Sequence, residues 1–236
     1  MIAVSPLITK FIFWFISHFQ NMNLATVTVL VATLLVGFFN WGLGLIFGAV
    51  IARKLGEYAF ENKKSINYPL VGAAGYAALM IWHGGISGSA PLTVAASGHF
   101  LEDKIGIIST SQTIFSAPNL VINGVLIVAL AGFVWLLSKK KMVQKDVSWG
   151  FENVKLTEST QARPSFLLLF FGVLMLGISI FQFGTKWQET GDVFASLNLD
   201  FINFFLFGLA FLFLGNIKKL ENAVGEASFS AAGILI

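Results

Sequence analysis

Two short blocks hold most of the residues in this sequence that could meet a solute. Asn40-Trp41-Gly42-Leu43-Gly44 sets a side-chain amide beside two glycines. His83-Gly84-Gly85-Ile86-Ser87-Gly88-Ser89-Ala90-Pro91-Leu92-Thr93 adds three glycines, a proline and three hydroxyls. Glycines admit close approach of backbone to a ligand, freed amides and positive helix ends attract anionic groups, and carbonyls and hydroxyls hold cations. That chemistry is binding rather than bond breaking. The serines have no His and Asp partners in a nucleophile arrangement, and Gly84-Gly85-Ile86-Ser87-Gly88 is not a Gly-x-Ser-x-Gly elbow. Three scattered His and no Cys leave a transition-metal site short of ligands, so no metal and no enzyme activity are expected. His83 is open to two readings, a hydrogen-bonded structural residue or a group that pairs with an anion or relays a proton.

Both blocks interrupt long apolar runs. Residues 24–52 form 29 positions without an ionised group, enough to cross a hydrocarbon core that needs about 20 helical residues. The first block lies in the middle of that run, where a broken span and a re-entrant hairpin both fit. Residues 68–101 are again free of ionised groups with His neutral, and the second block cannot be an ordinary helix interior. In a bilayer an unpaired backbone amide costs several kcal/mol, so unwound chain survives only where protein or a watery cavity satisfies it. The breaks therefore mark a candidate site. Their bland alternative is close helix packing by small residues, and for Gly42 and Gly44 the two readings are balanced.

Further spans are expected at 120–137, 166–183 and 199–214, with Asn123 and Asn203 as polar exceptions, and at 7–19, which contains Lys10 and His18, an interfacial helix or the end of a longer span. The connectors 53–67, 138–165 and 215–222 carry four, six and two Lys or Arg, while 98–113 and 184–198 carry one each. The rich connectors are expected in the cytoplasm, which requires 68–101 to cross once as a discontinuous helix. The loop at 138–165, with Lys139-Lys140-Lys141, separates a motif-bearing part, 1–137, from plainer spans in 166–236.

Composition agrees. Of 236 residues 56% are hydrophobic and 11% charged, against about a quarter charged in soluble domains, so lipid is the solvent that suits this surface. The net charge of +3 is confined largely to connectors, which argues for topology and against nucleic acid. The fold class is all-α integral membrane, a polytopic bundle with discontinuous or re-entrant helices.

The strings from Asn40 to Ala49 and from Tyr68-Pro69-Leu70 through Trp82 to Gly84-Gly85-Ile86-Ser87-Gly88-Ser89-Ala90-Pro91-Leu92 resemble, in order and spacing, stretches of the bacterial short-chain fatty acid transporter family. The likeness is specific over 39–98, looser later, and weak again at 230–236. It implies a secondary carrier of the ion-transporter superfamily, in the bacterial cytoplasmic membrane, that moves butyrate or acetoacetate-like monocarboxylates with a proton or sodium ion. It also implies that Asn40, Gly42 and Gly44, with Gly84, Gly85, Ser87, Gly88, Ser89 and Thr93, line the carboxylate or coupling-ion site, beside His83. Such carriers form their site between two inverted halves and are about twice this length, so the chain is expected to supply one half, as a fragment, a split subunit or an inactive truncation. The expected partners are a small carboxylate anion, the bilayer, and a second copy or a complementary C-terminal half. A dicarboxylate carrier and a membrane assembly subunit are the alternative functions.

Overall fold

The computed structural model describes residues 16, 19, 21–140 and 164–225. Most of the expected helix at 7–19, most of the 138–165 loop and the stretch 230–236 lie outside them. Among the described residues the chain is helical, with four helices long and apolar enough to cross a membrane. It is a multi-pass membrane protein.

Helix α1 (Met22–Phe39) starts at Asn21, whose Oδ1 accepts the Asn23 amide at 2.9 Å. It stops at Asn40, which turns to extended backbone (φ −154°, ψ 122°) and at once caps α2 (Trp41–Glu61) by accepting the Leu43 amide at 2.9 Å. A short polar side chain that satisfies an orphan helix amide suits this double duty. Of the two arrangements open to the sequence, the chain forms the hairpin. Gly44 faces Gly37, and Gly48 faces Thr33, so the helices run antiparallel about the Asn40 turn.

The first break thus becomes the tip of a packed unit. A Cβ on Gly44 would lie 2.7 Å from the Gly37 Cα, and a Cβ on Gly37 would lie 2.7 Å from the Ala78 carbonyl oxygen. Gly44, Gly48, Ala52 and Gly56 recur every fourth residue, which makes one α2 stripe thin enough for backbones to approach. Gly48 meets Gly75 along it, and the Tyr68 ring covers Gly56. Arg53 and Lys54 pair with Glu57 at 2.9 and 2.6 Å. Arg53 lies twelve helical steps from Trp41, which places the tip about 18 Å from the first charge on α2.

The second apolar run is a helix in pieces. It proceeds as α3 (Tyr68–Tyr76), tightens into 3-10 turns at Ala77–Met80 and Trp82–Gly84, unwinds, and restarts as α4 (Ser89–Val94). After a short α5 (Glu102–Ile105), α6 (Ala117–Ser138) packs against α1. The first core holds Leu30, Leu34, Leu55, Ala59 and Val71, drawn from α1, α2 and α3.

The last pair is α7 (Phe166–Thr190) and α8 (Leu199–Leu214). Each ends on a left-handed glycine, Gly191 (φ 70°) and Gly215 (φ 60°), where a side chain would be strained. The α7–α8 turn is tied to the connector before α6: Ser109 donates to Asp192 at 2.6 Å, and Thr110 donates to the Phe194 carbonyl at 2.9 Å. At the other end Ser165 donates its amide to the Gly215 carbonyl at 2.8 Å. The two connectors poor in Lys and Arg therefore meet each other, as membership of one membrane face requires.

Candidate functional site

The two interruptions are joined in space, across 46 positions of sequence at the Trp41–Ser87 bond. Trp41 donates its amide to Ser87 Oγ at 2.9 Å, and Ile86 donates its amide to the Phe38 carbonyl at 2.7 Å. Gly85 presses directly on that Phe38 carbonyl. Ser87 is buried, and its hydroxyl satisfies one of the amides that the start of α2 leaves without an intrahelical acceptor.

The accounts of the other first-turn amides close in the same way. Leu43 donates to Asn40 Oδ1, and Gly44 donates to the Asn40 carbonyl at 2.8 Å. Gly42 is left with an amide that no described group accepts and with no side chain to cover it. It also lines a groove of about 660 Å³ together with Asn40, Leu43 and Ile46 of the hairpin and Asp200, Asn203, Phe204 and Phe207 of α8. Its polar lining is the start of α2, the amides of Asn40 and Asn203, and the Asp200 carboxylate; the remaining lining is apolar.

The structure divides the residues singled out from sequence. Asn40 and Gly42 face the groove. Gly44 and Gly85 are packing positions against backbone, and a Cβ on Gly88 would lie 2.5 Å from the His83 carbonyl oxygen. Gly84 is held by α6: Asn119 donates to its carbonyl at 2.8 Å, and a Cβ there would meet both Asn119 and Asn123 at 2.6 Å. His83 is exposed and stacks on Trp82 at 4.0 Å, and Trp82 lies 5.5 Å from Trp41. Ser89 is exposed, and the Thr93 hydroxyl donates back to the Ser89 carbonyl at 2.7 Å, within its own helix.

Four residues join the site that sequence reasoning did not place there. Asn119 and Asn123 brace the unwound segment; an amide inside an apolar span is the signal that could have found Asn123. Asp200 and Asn203 present one face of α8 to the hairpin tip. Asn203 was visible as a polar exception, but an acid in the first turn of a helix, as Asp200 is, is too ordinary to stand out. Among the described residues no three His, Asp or Glu side chains gather to hold a metal.

Comparison with known proteins bears on all 236 positions. The family model described as short chain fatty acid transporter matches residues 1–236. A protein of Haemophilus influenzae named "Putative short-chain fatty acid transporter" is 26% identical over 251 aligned positions, which cover 100% of this chain and 54% of the relative. A protein of Escherichia coli K12 with the same name is 38% identical over 91 residues, 39% of this chain and 20% of the relative. The chain thus spans about half the length of the first of these relatives and a smaller share of the second is matched. No solved structure matches.

Proposed function

The chain belongs to the short-chain fatty acid transporter family, and from that membership we propose that it takes part in secondary transport of short-chain monocarboxylates, such as butyrate or acetoacetate, across the bacterial cytoplasmic membrane. The observation that carries this reading is the groove between the first break and α8, lined by Asn40 and Gly42 together with Leu43, Ile46, Phe204 and Phe207. A monocarboxylate has the matching shape. Its carboxylate takes the Gly42 amide at the positive end of α2 and the side-chain amides of Asn40 and Asn203, and its alkyl chain lies on the apolar wall. A dicarboxylate fits less well, because its second charge falls among phenylalanines or beside Asp200.

The rest of the machinery supports that head group from behind. Ser87 holds the Trp41 amide, Asn119 holds the Gly84 carbonyl, and the glycine stripe of α2 fixes the depth of the tip. The complementary half, the coupling ion and the direction of transport are part of the proposal. The test begins with binding. Trp41 adjoins the groove, so its fluorescence in the purified chain should change saturably with butyrate and acetoacetate and much less with succinate. Proteoliposomes that contain the chain with its complementary half should then accumulate labelled butyrate under a sodium or proton gradient. No butyrate-dependent signal and no uptake above protein-free vesicles would overturn the substrate assignment. Succinate preferred over butyrate would replace it with the dicarboxylate reading.

A further inference from the structure

Asp200 stands in the wall between two cavities. On one side is the groove headed by Asn40. On the other is a polar cavity of about 490 Å³ beneath the α7–α8 turn, which Gln182, Thr185 and Lys186 of α7 and Ser196 and Asn198 of the turn also line. Two groups there have no protein partner among the described residues. Asp200 is exposed and makes no ion pair or side-chain hydrogen bond. Ser196 is only 6% exposed, and its Oγ has no hydrogen-bond partner among the described residues. A buried hydroxyl without a partner is rare and points to a group that completes it.

The donor set defines that group. It consists of one carboxylate and neutral oxygens, which suits a hard cation and not a soft one. The Thr185 hydroxyl donates its proton to the Gln182 carbonyl at 3.0 Å, so its oxygen still has lone pairs to offer. A single negative charge balances a monovalent ion. Lys186, the one cation lining the cavity, is engaged by Glu189 at 3.2 Å and adds a further penalty against a divalent ion.

We propose that Asp200 and Ser196 Oγ, with neutral oxygens of Thr185 and Gln182, form a sodium site between the polar cavity and the carboxylate groove. Its role in transport rests on the reading above: sodium neutralises Asp200, which otherwise repels a carboxylate in the same groove, so each ligand raises the other's affinity. Occupancy by sodium does not depend on that reading. The connector above the cavity is one of the two poor in Lys and Arg, so the ion enters from the face opposite the lysine-rich loops.

The experiment measures 22Na⁺ binding to the purified full chain in detergent, without substrate, with choline keeping ionic strength constant. Saturable binding displaced by unlabelled NaCl is expected. Asp200→Asn and Ser196→Ala should each weaken it by about tenfold or more, with unchanged melting temperature, while Asp103→Asn, at a carboxylate that does not line the cavity, leaves it intact. No saturable binding to the folded wild type, or undiminished binding in Asp200→Asn, overturns the site. Butyrate titrations with sodium in place of choline then separate the two ideas. Higher butyrate affinity in sodium, lost in Asp200→Asn, supports coupling. Sodium binding without any butyrate binding keeps the cation site and removes the transport reading; butyrate binding without sodium binding does the reverse.

Discussion

The hairpin of α1 and α2 and the hairpin of α7 and α8 are built from similar apolar sequence, yet they are different objects. The first turns at a single residue, Asn40, and its glycines bring backbone against backbone. The second turns over 191–198 and has side chains nearest its glycines, Leu212 at Gly172 and Met175 at Gly208, with the facing glycine carbonyls farther off, at 3.2 and 3.4 Å from a built Cβ. Within its most apolar stretch 44% of α1 is buried, against 17% of α7, where Phe166, Phe170, Phe171 and Phe181 are exposed. One hairpin is a closely packed mount for a helix N-terminus; the other exposes apolar side chains and lines a groove. Depth of packing, not hydrophobicity, distinguishes the part that holds the site from the part that borders it.

The largest expected effect breaks the first hairpin. Gly48→Leu or Gly85→Val forces a side chain into a neighbouring carbonyl, and overpacking against backbone should cost about 3 kcal/mol or more. The measured outcome is loss of folded, monodisperse protein on extraction. Gly177→Leu on α7, a position with no neighbour within 4 Å, should change neither yield nor melting. Equal damage at the two sites would erase the contrast between the hairpins.

A smaller effect separates the mount from the ligand. A Cβ at Gly42 meets nothing closer than Asn40 Oδ1 at 3.6 Å, so Gly42→Ala should fold normally. It intrudes on the polar head of the groove, and loss of the amide contact should weaken butyrate binding by about tenfold, roughly 1.4 kcal/mol. Ser87→Ala acts the other way round. It strands the Trp41 amide, for about 1 kcal/mol in a half-buried setting, and should lower the melting temperature before it touches affinity. A butyrate affinity insensitive to Gly42 would move the carboxylate away from the tip.

Much of this arrangement was legible in the sequence, for reasons that are physical. Long runs without ionised groups announce membrane helices, and α8 lies within the bounds expected for it, because lipid demands length and apolarity and little else. The two breaks were legible because Gly, Pro and Asn are poor company for a helix at membrane depth. What each break becomes was not. Whether Asn40 bends a span or reverses it depends on what α1 can pack against, and the stripe Gly44, Gly48, Ala52 and Gly56 reads equally as packing or as site until Gly37 and Gly75 are seen opposite. The site residues split for the same reason: Ser87 and Gly85 serve the junction, whereas Gly42 faces open space. Asp200 stayed hidden because nothing local distinguishes an N-terminal helix acid from a ligand.

The smallest effect concerns the tie between the regions. Asp192 accepts the Ser109 hydroxyl at 2.6 Å and the Phe194 amide at 2.8 Å, and these contacts, against a small opposing effect of burial and with help from Ser111, hold its carboxyl below the usual range. A lowered folded-state pKa means that the stabilisation is fully present above the ordinary value near ~4 and is lost as pH falls through the lowered one. Because Asp192 is only partly buried, the gain is modest and screened by salt. At neutral pH, Asp192→Ala should therefore leave melting almost unchanged while hydrogen exchange at Phe194 and across 109–111 quickens. Below the lowered pKa the wild type should exchange as the variant does. If the variant instead frees exchange throughout α8, the turn is no local clasp, and the second hairpin depends on the first for its fold as well as for its place beside the tip.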